Sequence, residues 1–226
     1  MLNLFEVTGR AATHVRDVAE PPCRAHPRAA AALLDMRNAA RTAGIELKVV
    51  SGFRDFNHQL AIWNAKFKGE RPLLDALGAP LNHADLYEYE LIDAILTWSA
   101  LPGASRHHWG SDLDVVDAAA VLPGTRPQLL PTEFAPGGCF ERLHGWLDSN
   151  MGQFGFFRPY ARDRGGVRPE PWHLSYAPVS LGALEVLSLD VLREALAGTG
   201  MPGLEAVLER LPELYERYVL AVDHPA

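Results

Sequence analysis

The apolar residues of this chain change period as they run, and that change limits the fold to helices packed on a small sheet. From Pro27 to Ala43 the positions Ala29, Ala32, Leu33, Met36, Ala40 and Ala43 fall at helical spacing, and Gly44 closes that helix. Ile45 to Val50 alternates apolar and polar before an apolar close, which is the period of a strand. Asp55 caps a second helix through about Phe67. Gly69 to Asn82, rich in Gly and Pro, reads as a surface loop. Tyr89, Ile92 and Leu96 make one face of a third helix over about 84–100, broken by Pro102-Gly103. Leu113 to Val116 is a strand, and 118–138 is a long connection containing Pro and Gly. Phe140, Leu143, Leu147 and Met151 stripe a fourth helix. Phe154 to Phe157 and Trp172 to Tyr176 read as two strands joined by a polar loop, 158–169. Beyond Pro178 the pattern is helical, with Pro212 opening a new helix or kinking the old one. The expectation is an α+β domain over 1–178, a small antiparallel sheet flanked by helices, with a helical C-terminal extension, 179–226, packed on it.

Composition narrows the classes of partner. At 226 residues the chain suits one domain with an elaboration. A net charge of −7 and a pI near 5.7 argue against a nucleic-acid-binding surface, which would be basic. No stretch is long and apolar enough to span a bilayer. The first ten residues lack the basic start and apolar run of a signal peptide, so the default compartment is the cytoplasm. Action at the cell envelope would require trimming or an unconventional export route. Cys23 and Cys139 lack any C-x-x-C context and read as two unrelated free thiols, neither of them a metal ligand.

Two short segments carry chemistry. In Ser105-Arg106-His107-His108-Trp109-Gly110-Ser111-Asp112-Leu113-Asp114, His107 and Asp114 are separated by six residues containing Gly110, which implies a turn followed by a strand. In Glu170-Pro171-Trp172-His173, strand alternation sends the imidazole to one face and Trp172 and Leu174 to the other. A catalytic zinc takes three nitrogen or oxygen ligands and keeps its fourth position for water, and a carboxylate beside that water must take its proton. Two histidines, an aspartate and a spare glutamate are that set. Singly, each of these residues would default to a solvated or structural role; together they read as a zinc peptidase.

The first segment, preceded by Pro102-Gly103-Ala104, resembles the S-x-H-x-x-G-x-x-x-D signature of the D-alanyl-D-alanine metallopeptidases. That group spans vancomycin-resistance D,D-dipeptidases and D,D-carboxypeptidases, phage endopeptidases and, distantly, the hedgehog signalling domain. The second segment resembles their E-x-W-H. Ser51-Gly52-Phe53-Arg54 with Gln59 is similar to their upstream S-x-Y/F-R-x-x-x-x-Q. The three pieces stand in family order from Ser51 to Tyr176. The resemblance implies one catalytic Zn2+ held by His107, Asp114 and His173, with Glu170 as general base. It implies that Arg54 stabilises the transition state or binds substrate, and that Ser51, Gln59 and Ser105 contact substrate. The substrate it implies is a peptidoglycan stem peptide.

Asp112 departs from the family pattern, which has a small residue there. Three roles stay open for it: an acceptor behind a zinc-bound histidine, an extra weak ligand, or a substrate contact. His108 is not expected to be a ligand, and Trp109 either shapes the cleft wall or packs in the core. The leading reading is a D,D-carboxypeptidase. An L,D-carboxypeptidase, a D-Ala-D-Ala dipeptidase or an endopeptidase fits the same scaffold, and these differ in how loops such as 69–82 and 118–138 close the cleft. A non-catalytic zinc module of hedgehog type has no reason to keep both Glu170 and Arg54. A generic zinc protease lacks its H-E-x-x-H here.

Overall fold

The structure, a computed structural model, describes residues 1–225. It opens with elements that the apolar period does not mark, a one-turn helix α1 (Leu4–Val7) and a hairpin of β1 (Arg16–Val18) and β2 (Cys23–Ala25). Helix α2 (Pro27–Thr42) starts where His26 Nδ1 accepts the Arg28 N–H at 3.2 Å, with Pro27 in its first position. It buries Ala29, Leu33, Met36 and Ala40, and Gly44 at φ +72° turns the chain into β3 (Leu47–Ser51). Helix α3 (Phe56–Phe67) is capped by Asp55, whose carboxylate accepts the His58 N–H at 2.8 Å.

The stretch read as a plain loop holds a short hairpin, β4 (Leu73–Leu74) with β5 (Pro80–Leu81). Helix α4 (Glu88–Leu96) is shorter than the period suggested, because a 3-10 turn over His83–Asp85 precedes it. Tyr89 lies on its exposed side and donates its hydroxyl to Glu209 at 2.6 Å, while Leu91, Ile92, Ile95 and Leu96 are buried. Strand β6 (Asp112–Asp117) is buried along its whole length. The connection after it contains α5 (Pro131–Phe134), and α6 (Glu141–Asn150) buries Leu143 and Leu147.

Strands β7 (Phe156–Phe157) and β8 (His173–Tyr176) follow, and β8 runs straight into α7 (Ala177–Val186). Helices α8 (Leu189–Leu196), α9 (Leu204–Glu209) and α10 (Leu211–Tyr215) follow, and a π-helical turn over Glu216–Leu220 continues from α10. Pro212 sits in the first turn of α10, so it opens a new helix. Among the described residues no helix is long and apolar enough to cross a membrane.

Four strands form one antiparallel sheet in the order β3-β6-β8-β7. An irregularity between Val49 and Ser51 shifts the register so that Ser51 pairs with Asp114, and Asp114 pairs with His173 on its other side. A single row across three strands therefore carries Ser51, Asp114 and His173. One apolar core lies between the sheet and helices α2 and α6, and includes Leu33, Leu47, Leu113, Leu147, Trp172 and Leu174. A second core joins α1, α3 and α4 to the helices after 178, through Val7, Trp63, Ile92, Leu192, Val207 and Leu214. The C-terminal helices thus bury their apolar faces against the rest of the chain.

Candidate active site

His107 is held on a four-residue 3-10 turn, Arg106–Trp109, that Gly110 ends in the left-handed region at φ +64°. A side chain there would be strained twice over: an added Cβ would come within 2.4 Å of Val15 and 2.8 Å of the His26 backbone nitrogen. That close approach explains the glycine between the two candidate ligands. The chain then enters β6, which delivers Asp114 opposite His173.

The two imidazoles are fixed by the nitrogens that do not face Asp114. His107 donates Nδ1–H to the Gly52 carbonyl at 3.0 Å, which leaves Nε2 3.4 Å from Asp114 Oδ2. His173 donates Nε2–H to Asp112 Oδ1 at 3.1 Å, and its Nδ1 stands 3.3 Å from both Asp114 Oδ1 and Glu170 Oε2. Ligand atoms around a tetrahedral zinc with bonds of about 2.0–2.2 Å are about 3.3 Å apart. One donor atom from each of His107, Asp114 and His173 lies within 4.8 Å of the others. Asp114 Oδ1 is buried and accepts no hydrogen bond, an orphan that a cation would satisfy. The donor set and its geometry fit a zinc ion.

The electrostatics show how much negative charge converges on His173. Burial raises the Asp114 pKa, but the neighbouring imidazoles of His107 and His173 outweigh it and carry the carboxyl far below the usual range. Burial disfavours a charged His173, yet the hydrogen bond to Asp112 and the facing carboxylates of Asp114 and Glu170 override it and raise its pKa well above normal. A cation held between His107, Asp114 and His173 would take the place of that ring proton.

The cleft in front of these residues encloses about 230 Å³. Arg54, Ser105, His107, Asp114, Glu170 and His173 all border it. Ser51 and Gln59, expected to touch substrate, instead hold Arg54: its Nη1 donates to Gln59 Oε1 at 2.6 Å and its Nη2 to Ser51 Oγ at 3.1 Å. Gln59 is fully buried and spends its amide protons on Ser99 Oγ and the Ala100 carbonyl. Burial lowers the Arg54 pKa, while Asp114 and Glu170 oppose the shift.

Asp112 is also away from the cleft surface, and the substrate-contact role is corrected on that ground. Its carboxylate is fully buried behind His173, accepting from Arg106 Nε at 2.8 Å, Ser111 Oγ at 2.7 Å and His173. The Arg106 charge and these bonds overcome burial and hold its pKa at about 2. His108 is neutral: burial pushes its pKa down to about 3, its Nε2 accepts from Gly103 N–H, and its Nδ1 donates to the Arg54 carbonyl at 2.6 Å. It ties the Arg54 backbone to the turn that carries His107. Trp109 is fully buried in the core, with its indole N–H on the Val7 carbonyl.

Periodicity and motif gave no signal for several residues at the site. The Tyr160 ring packs edge-on against His173 at 5.1 Å, and burial pushes its hydroxyl pKa up to about 12. Trp98 stacks on Trp172. Leu74, Gln128 and Leu129 reach the cleft from the two long connections, 69–82 and 118–138. Leu129 does so at φ +54°, a backbone region unusual for leucine.

Residues 23–179 match the VanY family, described as D-alanyl-D-alanine carboxypeptidase. The chain belongs to that family. An uncharacterized protein of Haemophilus influenzae is 32% identical over 126 residues, covering 55% of this chain and 96% of that one. A D-alanyl-D-alanine carboxypeptidase of Enterococcus faecalis is 30% identical over 150 residues, covering 65% of this chain. That match spans 46% of the Enterococcus protein, less than half its length. Among solved structures, a mutant of the vancomycin-resistance D,D-pentapeptidase VanY in complex with Zn(II) superposes with a TM-score of 0.51 at 25% identity, covering 88% of this chain and 92% of that one. The family membership and the mixed helix-and-sheet fold agree with the reading of the three motifs.

Proposed function

We propose that the protein is a zinc peptidase of D,D-carboxypeptidase type that hydrolyses the peptide bonds of peptidoglycan stem peptides. The observation that carries this reading is the convergence of His107 Nε2, Asp114 and His173 Nδ1, with both remaining ring nitrogens occupied and the Glu170 carboxylate 3.3 Å from His173 Nδ1. Family membership and the Zn(II) held by the VanY relative support it.

His107, Asp114 and His173 would hold the metal. A zinc ion there supplies Lewis acidity to the scissile carbonyl and makes water a better nucleophile at neutral pH. Glu170 takes the proton from the attacking water and returns it to the leaving amine. Its backbone is stiffened by flanking Pro169 and Pro171, and its N–H is bound to the Tyr160 carbonyl at 2.9 Å. Arg54 presents its guanidinium to the charge that grows on the carbonyl oxygen, held in place by Ser51 and Gln59. Asp112 fixes the His173 tautomer so that Nδ1 offers its lone pair to the metal.

The test is incubation of zinc-loaded protein with defined muropeptides, reading products by mass. Loss of one terminal D-alanine from a pentapeptide is the expected result. Loss of a dipeptide, cleavage of an L,D bond or cutting within the bridge would reassign the specificity to another branch of the scaffold. No product from any of them would favour a binding module.

A further inference from the structure

Between β7 and β8 the chain runs through residues 158–172 without regular structure, yet it delivers Tyr160, Val167 and Glu170 to the cleft. A loop that places a proton-transfer group needs to be held from outside, and here the hold comes from the far end of the sequence. Asp223 donates its backbone N–H to the Pro159 carbonyl at 2.8 Å. Its carboxylate accepts from Arg162 N at 3.2 Å, Arg162 Nε at 2.7 Å, Arg164 Nε at 2.9 Å and Arg164 Nη2 at 2.7 Å. Asp223 itself is only 6% exposed, while Arg162 and Arg164 reach it from the solvent side, so one buried carboxylate gathers both arginines of the loop. Arg217 adds a bond from Nε to the Gly165 carbonyl at 2.5 Å. The Arg217 carbonyl lies 1.9 Å from where a Cβ on Gly166 would be, so the two backbones pack directly on each other.

The hold reaches the reaction centre in one more step. Tyr160, next to Pro159, accepts the Glu170 N–H at 2.9 Å, and Glu170 in turn accepts the His173 N–H at 3.1 Å. Asp223 lies outside the stretch 23–179 that the family description covers.

We propose that Asp223 is a positioning residue for catalysis, pinning residues 159–164 to the C-terminal segment and, through the Tyr160 carbonyl, fixing Glu170 over the metal ligands. The proposal rests on the reading of Glu170 as general base. Misplacing a reacting group by about 1 Å costs about a hundredfold in rate. A loop released from Asp223 loses its pin without losing any group that touches substrate or metal.

The experiment compares Asp223→Ala, Asp223→Asn, Glu170→Gln and the double variant Glu170→Gln/Asp223→Ala. A cavity variant in the C-terminal core, Val207→Ala, serves as control. Each is loaded with zinc, assayed on a peptide ending in D-Ala-D-Ala, and followed by amide hydrogen exchange. Asp223→Ala should lower kcat by about ten- to a hundredfold, change KM less, keep its zinc and speed exchange at the Glu170 amide. Asp223→Asn keeps the acceptor and should lose less. The double variant should be no slower than Glu170→Gln alone, because Asp223 acts through Glu170. Val207→Ala should exchange faster in the helices and keep its kcat.

Native kcat in Asp223→Ala beside a normal loss in Glu170→Gln would overturn the pin alone. An equal kcat loss in Val207→Ala, or full additivity in the double variant, would overturn it too. Native turnover in Glu170→Gln would instead overturn the general-base reading and with it the route through Glu170.

Discussion

Replacing Asp112 by alanine restores the residue size common in the family, yet here it should be costly. The Asp112 carboxylate is fully buried and takes hydrogen bonds from Arg106, Ser111 and His173. Arg106 is itself only 5% exposed, and its other side-chain hydrogen bond, to Ser175 Oγ at 2.7 Å, is to a neutral group. Removing the aspartate strands a buried guanidinium, and breaking such a pair costs about 3–5 kcal/mol. For a chain of this length each kcal/mol lowers Tm by about 2–4 °C, so the drop should be about 6–20 °C. The same change removes the partner that orients His173, which should weaken zinc binding by about ten- to a hundredfold.

The two effects separate in the double variant Arg106→Met/Asp112→Ala. Removing both charges should recover most of the stability, while zinc affinity stays low because His173 still lacks its acceptor. Urea unfolding of the metal-free proteins and zinc competition against a chelator measure the two. A loss below about 1 kcal/mol together with native zinc affinity in Asp112→Ala would mean that Asp112 neither pairs Arg106 nor orients His173.

Three further outcomes follow from the site. Glu170→Gln should keep its zinc and lose about a hundredfold to ten-thousandfold in rate, and near-native turnover would remove Glu170 from the proton transfer. Arg54→Ala should lower kcat more than it raises KM; a rise in KM at constant kcat would mean that Arg54 grips ground and transition states equally. Lys66 is half-buried, and burial pushes its pKa down to about 8, against the weaker pull of Glu170. Its charge is therefore a penalty on folding below pH 8 that is relieved as pH rises toward the ordinary lysine range. Lys66→Met should be more stable than the parent at pH 7 by about 3 kcal/mol, with the gap narrowing to under about 1 kcal/mol by pH 10; a constant gap in urea titrations would contradict this.

The sheet and the long helices were legible in the sequence because burial on one face imposes a period. Leu33 and Met36 on α2, and Trp172 and Leu174 flanking His173, show it directly. The short hairpins were not legible, since two- and three-residue strands such as Leu73–Leu74 are too brief to alternate. Ligand candidates could be read because their chemistry needs specific residue types at fixed spacing around Gly110. The supports could not be read, because they join residues distant in sequence. The Gly52 carbonyl under His107 is a backbone atom that no side-chain pattern announces. Ser51 and Gln59 belong to a motif but turn inward to Arg54, and a motif alone does not say which way its members face.

Metal analysis after zinc loading and gel filtration decides whether these residues hold a metal, applied to the parent protein, His107→Ala, His173→Ala and Glu170→Gln. One zinc per chain is expected in the parent and in Glu170→Gln, with loss of zinc in both histidine variants. Full zinc occupancy in His107→Ala and His173→Ala would contradict this assignment.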